Sequence, residues 1–389
     1  MAGRVLVVGG GLTAASLASL LRGAGLQVAV WDKAGRPGGR FTSHRRRGAE
    51  GQVDLGGQYV TASGAYRHLH APHYAALVAA GVLRPLQRRN ALEVAEGREE
   101  IGVRAAQAGG PGVSLNTRPV SLDHLYFEQP EDTRDPVNLV MTDNYVAPLG
   151  TEAIVRHFWE AAGVEVQVRR PLEALRPAGG EWVARGGGVE ETFDCVVTTM
   201  PVPQLLATPP RPEGWIEGVE ELLAANPAVA SRLRSVEYNS VFCLGLFFDQ
   251  PVDWGRYTKY CPADDVIRYM AVDTARRGHT AAAASLCVQS HVRWAEQHLH
   301  RTKQEMAAPL LEAVRRLLPD LPEPAEVLAH KWRYSQTSRP YPGHPGAVLV
   351  HADPPLLAAG DSFTHSNFDG CLHSARAAAA KLLKIIGSK

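Results

Sequence analysis

Residues 4–40 read RVLVVGGGLTAASLASLLRGAGLQVAVWDKAGRPGGR, and this stretch constrains the fold more than any other. Val5–Val8 is a short apolar run with strand character. It is followed by Gly9-x-Gly11-x-x-Ala14, which fits the G-x-G-x-x-G/A pattern at a strand-to-helix turn. Gly9 permits the tight turn, Gly11 lets backbone approach a pyrophosphate, and Ala14 is small enough for close helix–strand packing. The spacing predicts a helix from Leu12 whose free N–H groups and positive dipole end face phosphates. Val28–Trp31 is the next predicted strand, and Asp32 ends it, 21 residues after Gly11. A carboxylate there accepts the ribose hydroxyl hydrogens of an adenosine.

The next residues narrow the dinucleotide. A plain nicotinamide-binding domain continues with another βα unit, whereas here Pro37-Gly38-Gly39-Arg40 follows within eight residues of Asp32. Adjacent glycines let backbone N–H groups face a phosphate, and Arg40 adds a fixed, bidentate charge. This arrangement is similar to the second glycine motif of flavoprotein oxidases and points to FAD. A net charge of +1 gives no strong field toward nucleic acid or a membrane surface. The five cysteines (195, 243, 261, 287, 371) are scattered and do not suggest a disulfide framework, and no metal-ligand spacing occurs. No run of some 18 apolar residues reads as a spanning helix. A cleavable leader would remove the glycine loop, so the expectation is a cytoplasmic protein.

Along the rest of the chain, 54–61 reads as a turn and short strand, and 72–81 as a helix. Residues 87–145 are irregular and too long for a simple connection, which predicts an inserted excursion. Thr151 reads as the N-cap of a helix ending before Gly163, with Val164–Val168 a strand after it. Further predicted strands are Phe193–Thr199, Ser240–Asp249, Val266–Val272 and Leu356–Gly360; further helices are 302–318 and Cys371–Ile386. Residues 264–285, basic in the middle and Ala-rich at the end, read as an exposed-loop candidate.

Cofactor-type segments therefore lie at both ends and near the middle, with a strand-rich stretch between them. The fold expected is an α/β, two-domain FAD flavoprotein. Its discontinuous Rossmann-like FAD domain comprises 1–86, 146–209 and 336–389. A mixed or antiparallel-sheet substrate domain comprises 210–335, with 87–145 associated with it, in a p-hydroxybenzoate hydroxylase-like arrangement. At the C-terminal end, Asp361 after an apolar strand is placed to approach the ribityl and pyrophosphate region. Asn367 and Asp369 are candidate caps of the last helix, and Phe368 beside them is a candidate cofactor contact. That helix N-terminus offers N–H groups to the electron-rich edge of a reduced flavin.

These residues resemble the renalase family. The resemblance is carried by AVWDKA (29–34), GGR (38–40), DLGGQYVT (54–61), GVLRPL (81–86) and VAPLG (146–150). It continues with TTMPVP (198–203), LGLF (244–247), KWRYSQ (331–336) and GDSFTHSNFDGC (360–371). The set is closer to the animal members than to the bacterial ones. The departures are the long stretch 87–145 and a weaker match over 250–300. The resemblance implies FAD contacts from Thr13, Arg40, Gln58 and Tyr59, and it agrees with Gly9, Gly11, Asp32, Gly39 and Asp361.

It also implies an oxidase for the 2-dihydro and 6-dihydro isomers of NAD(P)H. The hydride would pass to flavin N5, releasing NAD(P)+, and oxygen would then give hydrogen peroxide. A dihydropyridine has strong driving force, so the protein need only hold it flat against the ring and stabilise the reduced flavin. Trp332 is the expected wall of the substrate pocket, Tyr257 a second aromatic candidate, and His291 a candidate polar contact. Cys371 at a helix start raises a covalent-flavin alternative, whereas the resemblance implies non-covalent FAD. Two rival readings remain open. One is a catecholamine-type amine oxidase. The other is a secreted signalling protein with FAD as a structural core and a cell-surface receptor as partner; likeness to animal renalases implies secretion.

Overall fold

The computed structural model describes residues 3–48, 50–62, 64–86, 143–206, 216–252, 258–261, 263–278 and 283–387. Tyr257 and all but the last three residues of the 87–145 insertion lie outside this set. The chain forms two compact units: Met1–Phe41, Ile154–Tyr238 and Thr337–Lys389 make the first, and Thr42–Ala153 and Asn239–Gln336 the second.

In the first unit, apolar β-branched runs form a six-stranded sheet. Its order is Ala347–His351, Leu356–Ala359, Cys195–Thr198, Arg4–Val8, Gln27–Trp31, Val166–Gln167. All neighbours are parallel except the antiparallel edge strand Ala347–His351. Arg4–Val8 sits near the centre and is buried from Val5 onward, as expected of a parallel strand covered on both faces. The helices Leu12–Leu21 and Phe368–Gly387 pack on each other through small residues, Ala14, Ala18, Ala375 and Ala378 being buried. A three-stranded antiparallel sheet (Ala174–Ala178, Glu181–Gly186, Val189–Phe193) packs Trp182 and Phe193 into one core with Leu6, Trp31, Val196 and Leu356.

The second unit is built on a five-stranded sheet in the order Thr258–Tyr260, Ile267–Val272, Ala284–Ser290, Glu237–Phe248, Glu326–Arg339. The near-continuous apolar run of Glu237–Phe248 follows from burial on both faces. Phe242, Leu244, Leu246 and Phe248 join Leu310 and Val314 of the helix Ala307–Leu317. The alternate residues Val241, Cys243 and Phe247 join Val53, Leu55 and Cys287, with Trp332 packed against them.

Several elements differ from the sequence reading. Phe193–Thr199 is two strands, because Asp194 breaks it: its N–H donates to Arg4 O at 2.9 Å and its carboxylate accepts the Arg4 N–H at 2.6 Å. The helix expected over 72–81 runs Gly64–Ala79 and carries Pro72 inside it. The helix expected from 302 begins at Ala307, and Thr302 and Glu305 close a reciprocal capping turn ahead of it. The compact units also divide the chain elsewhere than the 1–86, 146–209 and 336–389 grouping. The strand Gln52–Asp54 clusters with the second unit, where Ser285 Oγ donates to Gln52 O at 2.6 Å. The helices Val219–Ala225 and Pro227–Arg234 bury Leu222, Leu223 and Leu233 in the first.

Candidate functional site

The first unit brings the cofactor-type motifs together. Gly9 has φ +118°, and a Cβ there would lie 2.5 Å from Thr199 Oγ1, so only glycine suits this turn. Gly11 differs: its φ of −84° is open to any residue, and a Cβ there would meet nothing nearer than Gly39 Cα at 3.9 Å. The second glycine pair lies directly on the first. Gly38 N–H donates to Gly10 O at 2.8 Å, and Gly39 adopts φ +56°. Two glycine turns thus line a backbone cradle at the start of the helix Leu12–Leu21, where Thr13 is buried. An open Gly11 at a helix N-terminus fits a pyrophosphate.

Asp32 lies against the first glycine turn. Its Oδ1 accepts the Ala34 N–H at 2.9 Å, and burial lifts its pKa, with the Ala34 and Gly10 N–H groups acting against that rise. A Cβ on Gly10 would run into this carboxylate. Gly10 was missed in the sequence, although it is the middle glycine of the GGG run, between the two that fit the pattern.

Arg40 and Asp361, 321 residues apart, form a bidentate pair at 2.8 and 2.5 Å. Burial works against the Arg40 charge, but Asp361 outweighs it and the pKa is raised. Asp361 also accepts Ser366 Oγ at 2.5 Å and Thr337 Oγ1 at 3.5 Å. The Arg40 fork is thus directed at a carboxylate of its own chain, with 27 % of the side chain still exposed. Tyr238 was not foreseen; its pKa is pushed up to about 12 by burial and then by Asp361, with Arg40 opposing. Asn367 Oδ1 accepts the Gly370 N–H at 2.7 Å and so caps the last helix, with Phe368 and Asp369 buried in its first turn. Burial pushes the Cys371 thiol up to about 12, with Asp361 adding to the rise.

The second unit places Gln58 and Tyr59 on an irregular segment, 55–59, between the strands Gln52–Asp54 and Val60–Ala62. Gln58 Nε2 turns inward, donating to Asp54 O at 2.5 Å and Gly56 O at 3.0 Å, while its Oε1 is buried without a hydrogen-bond partner among the described residues. Tyr59 Oη lies 3.4 Å from Tyr260 Oη, and the Tyr260 and Tyr269 rings are 5.0 Å apart. Trp332 is half-buried and fixed, its Nε1 donating to Leu55 O at 2.9 Å. His291 stands before the helix Val292–Gln297; burial, then Arg268 and Arg293, lowers its pKa. No hydrogen bond or ring contact joins it to Trp332 among the described residues.

The exposed-loop expectation for 264–285 is corrected. Arg276 and Arg277 are 1 % and 4 % exposed, because the carboxylates of Asp54 and Asp273 compensate their charges. The i, i+3, i+4 spacing of Asp273, Arg276 and Arg277 was the available signal.

None of the five cysteines is in a disulfide. No helix of the described residues is long and apolar enough to cross a membrane. A family profile of flavin-containing amine oxidoreductases matches residues 130–383, and one of NAD(P)-binding Rossmann-like domains matches residues 7–72. The chain is 30% identical over 384 residues to renalase of Mus musculus, covering 96% of each sequence. It superposes on a candidate protoporphyrinogen oxidase from Exiguobacterium sp. 255-15 with TM-score 0.67 at 14% identity, over 99% of both chains. For wild-type putrescine oxidase bound to putrescine the values are 0.63, 16% and 99% of both chains. At such identities these two structures speak for the fold alone. The full-length likeness and the family match agree: the chain belongs to the flavin-containing amine oxidoreductases, as a renalase-like, FAD-dependent oxidoreductase.

Proposed function

We propose that this protein oxidises the 2-dihydro and 6-dihydro isomers of NAD(P)H to NAD(P)+, with non-covalent FAD and oxygen as acceptors and hydrogen peroxide as product. The observation that carries the reading is the likeness to renalase over 96% of both chains, because it spans the glycine motifs and KWRYSQ alike. When bound, FAD supplies the hydride acceptor and the route to oxygen.

The chain's own residues then bind and orient. Gly9, Gly11, Thr13 and Gly39 take the pyrophosphate, Asp32 the ribose hydroxyls, and Arg40, Asp361 and Phe368 the stretch toward the ribityl chain. Gln58 and Tyr59 take the ring side. Trp332, with its indole N–H tied to Leu55, offers a fixed flat wall for a nicotinamide, and Tyr257 is a second aromatic candidate. His291, whose pKa is lowered, stays neutral at pH 7 and offers a hydrogen bond without a charge. A raised Cys371 pKa disfavours the thiolate that flavin attachment needs, which supports non-covalent binding.

Anaerobic stopped-flow mixing of the holoprotein tests this. Flavin absorbance is expected to bleach rapidly with 2-dihydro- and 6-dihydro-NAD(P) and not with catecholamines or putrescine. Fast bleaching by amines alone overturns the reading in favour of an amine oxidase.

A further inference from the structure

Two polar residues, Asn239 and Ser240, stand in the buried part of the strand Glu237–Phe248, 6 % and 3 % exposed. Ser240 is satisfied, its Oγ donating to Arg333 O at 2.7 Å. Asn239 is not: its Nδ2 is sealed from solvent and has no hydrogen-bond partner among the described residues. Asparagine is disfavoured in strands, and a buried amide left unpaired costs the whole of its lost hydration. A valine there would extend the apolar run from Val241 onward without that cost. A donor kept at such a position calls for an acceptor that arrives with a ligand.

The face of the sheet that carries Asn239 also carries Trp332. Side chains alternate along a strand, and Phe242 and Leu244 join one core while Val241 and Cys243 join the other, so Asn239 shares the Val241 face. Trp332 packs against that same Val241 cluster. The neighbouring strand Glu326–Arg339 runs the opposite way: Ser240 meets Arg333, and a Cβ on Gly245 would lie 3.7 Å from Leu328 Cβ. Counting between these two contacts sets Val241 opposite Trp332 and Asn239 opposite Tyr334. Trp332 and Asn239 are then diagonal neighbours, with Cβ atoms roughly 7 Å apart. That span suits a planar ring lying on the indole with a substituent that reaches the Asn239 amide. Every residue of this arrangement belongs to the second unit.

We propose that Asn239 is a specificity-determining residue that reads the carboxamide of a nicotinamide ring held against Trp332. This rests on the reading of the protein as an oxidase of dihydro-NAD(P) isomers with Trp332 as the wall of its substrate pocket. A primary carboxamide offers one acceptor oxygen and a donor NH2, and so does the Asn239 side chain. The two form a reciprocal pair: Asn239 Nδ2–H donates to the substrate oxygen, and the substrate N–H donates to Asn239 Oδ1. The ammonium of an alkylamine only donates, which leaves Nδ2 unpaired. A site built around a buried donor rejects a ligand that does not satisfy it.

The test follows anaerobic flavin bleaching in the holoprotein against the concentration of 6-dihydro-NAD and of its 3-acetylpyridine counterpart, in which a methyl replaces the amide nitrogen. Saturation of the bleaching rate gives a dissociation constant for each. Wild type should bind the carboxamide form roughly 2–10-fold tighter, the worth of one hydrogen bond. Asn239→Leu should bind the carboxamide form about tenfold or more weaker than wild type, and should no longer prefer it over the acetyl form. A purely structural role weakens both forms alike and keeps the preference, which overturns the proposal. Loss of FAD from the variant assigns the amide to the cofactor and overturns it as well. Should Asn239→Leu fail to fold, Asn239→Ser, too short to span both amide atoms, is read in the same way. Equal affinity of wild type for the two forms overturns the proposal without any variant. Wild type that neither dihydropyridine bleaches fails the parent reading and this inference with it, whereas bleaching without the preference fails this inference alone.

Discussion

The glycine cradle makes a prediction in which two neighbouring glycines behave oppositely. Gly11 has φ −84° and ψ −173°, and a Cβ there touches nothing within 3.9 Å. Gly11→Ala should therefore not destabilise the flavin-free protein; restricting the unfolded chain would add about 0.4–1 kcal/mol of stability. With the pyrophosphate at this turn, as proposed, the same methyl would meet it, and at least one charge-assisted hydrogen bond of about 1.5–3 kcal/mol should be lost on binding. Flavin affinity should fall by roughly 10–150-fold. At Gly10 the conflict lies inside the protein, because a Cβ meets Asp32, whose Oδ1 is held by the Ala34 N–H at 2.9 Å. Releasing that carboxylate costs one hydrogen bond to a charged group and an off-rotamer side chain, about 2–4 kcal/mol in all. Gly10→Ala should lower the melting temperature with or without flavin. Thermal melts of deflavinated protein and fluorescence titration with FAD separate the two effects. Wild-type flavin affinity in Gly11→Ala would refute the argument, leaving the loop an ordinary Gly-rich turn.

Asp361→Asn removes the carboxylate that both arms of the Arg40 fork meet at 2.8 and 2.5 Å. It should weaken flavin retention by roughly 1.5–3 kcal/mol, read as FAD lost on dialysis; Arg40→Lys, with one point charge in place of a fork, should lose FAD as well. With its pKa near 12, the Cys371 thiol is ionised in about one molecule in 10,000 at pH 8. Labelling of Cys371 by a thiol reagent should run about 1000-fold slower than for an ordinary thiol, rising tenfold per pH unit as alkali favours the thiolate. Acid precipitation should leave yellow FAD in the supernatant; colour held on the polypeptide would contradict this. Leu310, 1 % exposed beneath the five-stranded sheet, should cost about 2–5 kcal/mol on replacement by Ala, measured by urea unfolding.

What the sequence disclosed was what local chemistry sets. Gly9 with φ +118°, the strands around it and the helix from Leu12 follow from residues within a few positions of one another. The apolar run ending at Phe248 is legible because a strand covered on both faces has no polar alternation to hide it. Glu326–Arg339 was not assigned as a strand, since it is an edge strand whose residues are mostly half-buried and include Lys331, Arg333 and Arg339. Arg40 and Asp361 were each marked, but not their pairing across 321 residues.

Arg276 and Arg277 show the limit most sharply. Adjacent arginines ordinarily mean a solvated face, because a buried guanidinium without a partner is too costly. Here Asp273 is three and four residues away, but Asp54, the second acid, is 219 residues from Asp273, and no local pattern reports it. Asp54 opens the DLGGQYVT stretch that carries the family likeness, and besides Gln58 within it, the side chains bonding its carbonyls come from Cys243, Arg276, Gln289 and Trp332. The shape of that loop is therefore encoded in part by residues outside its motif. A chain sharing the motif but lacking Arg276 or its two acids would not hold Gln58 and Tyr59 the same way, and a match over 54–61 alone would not transfer the site.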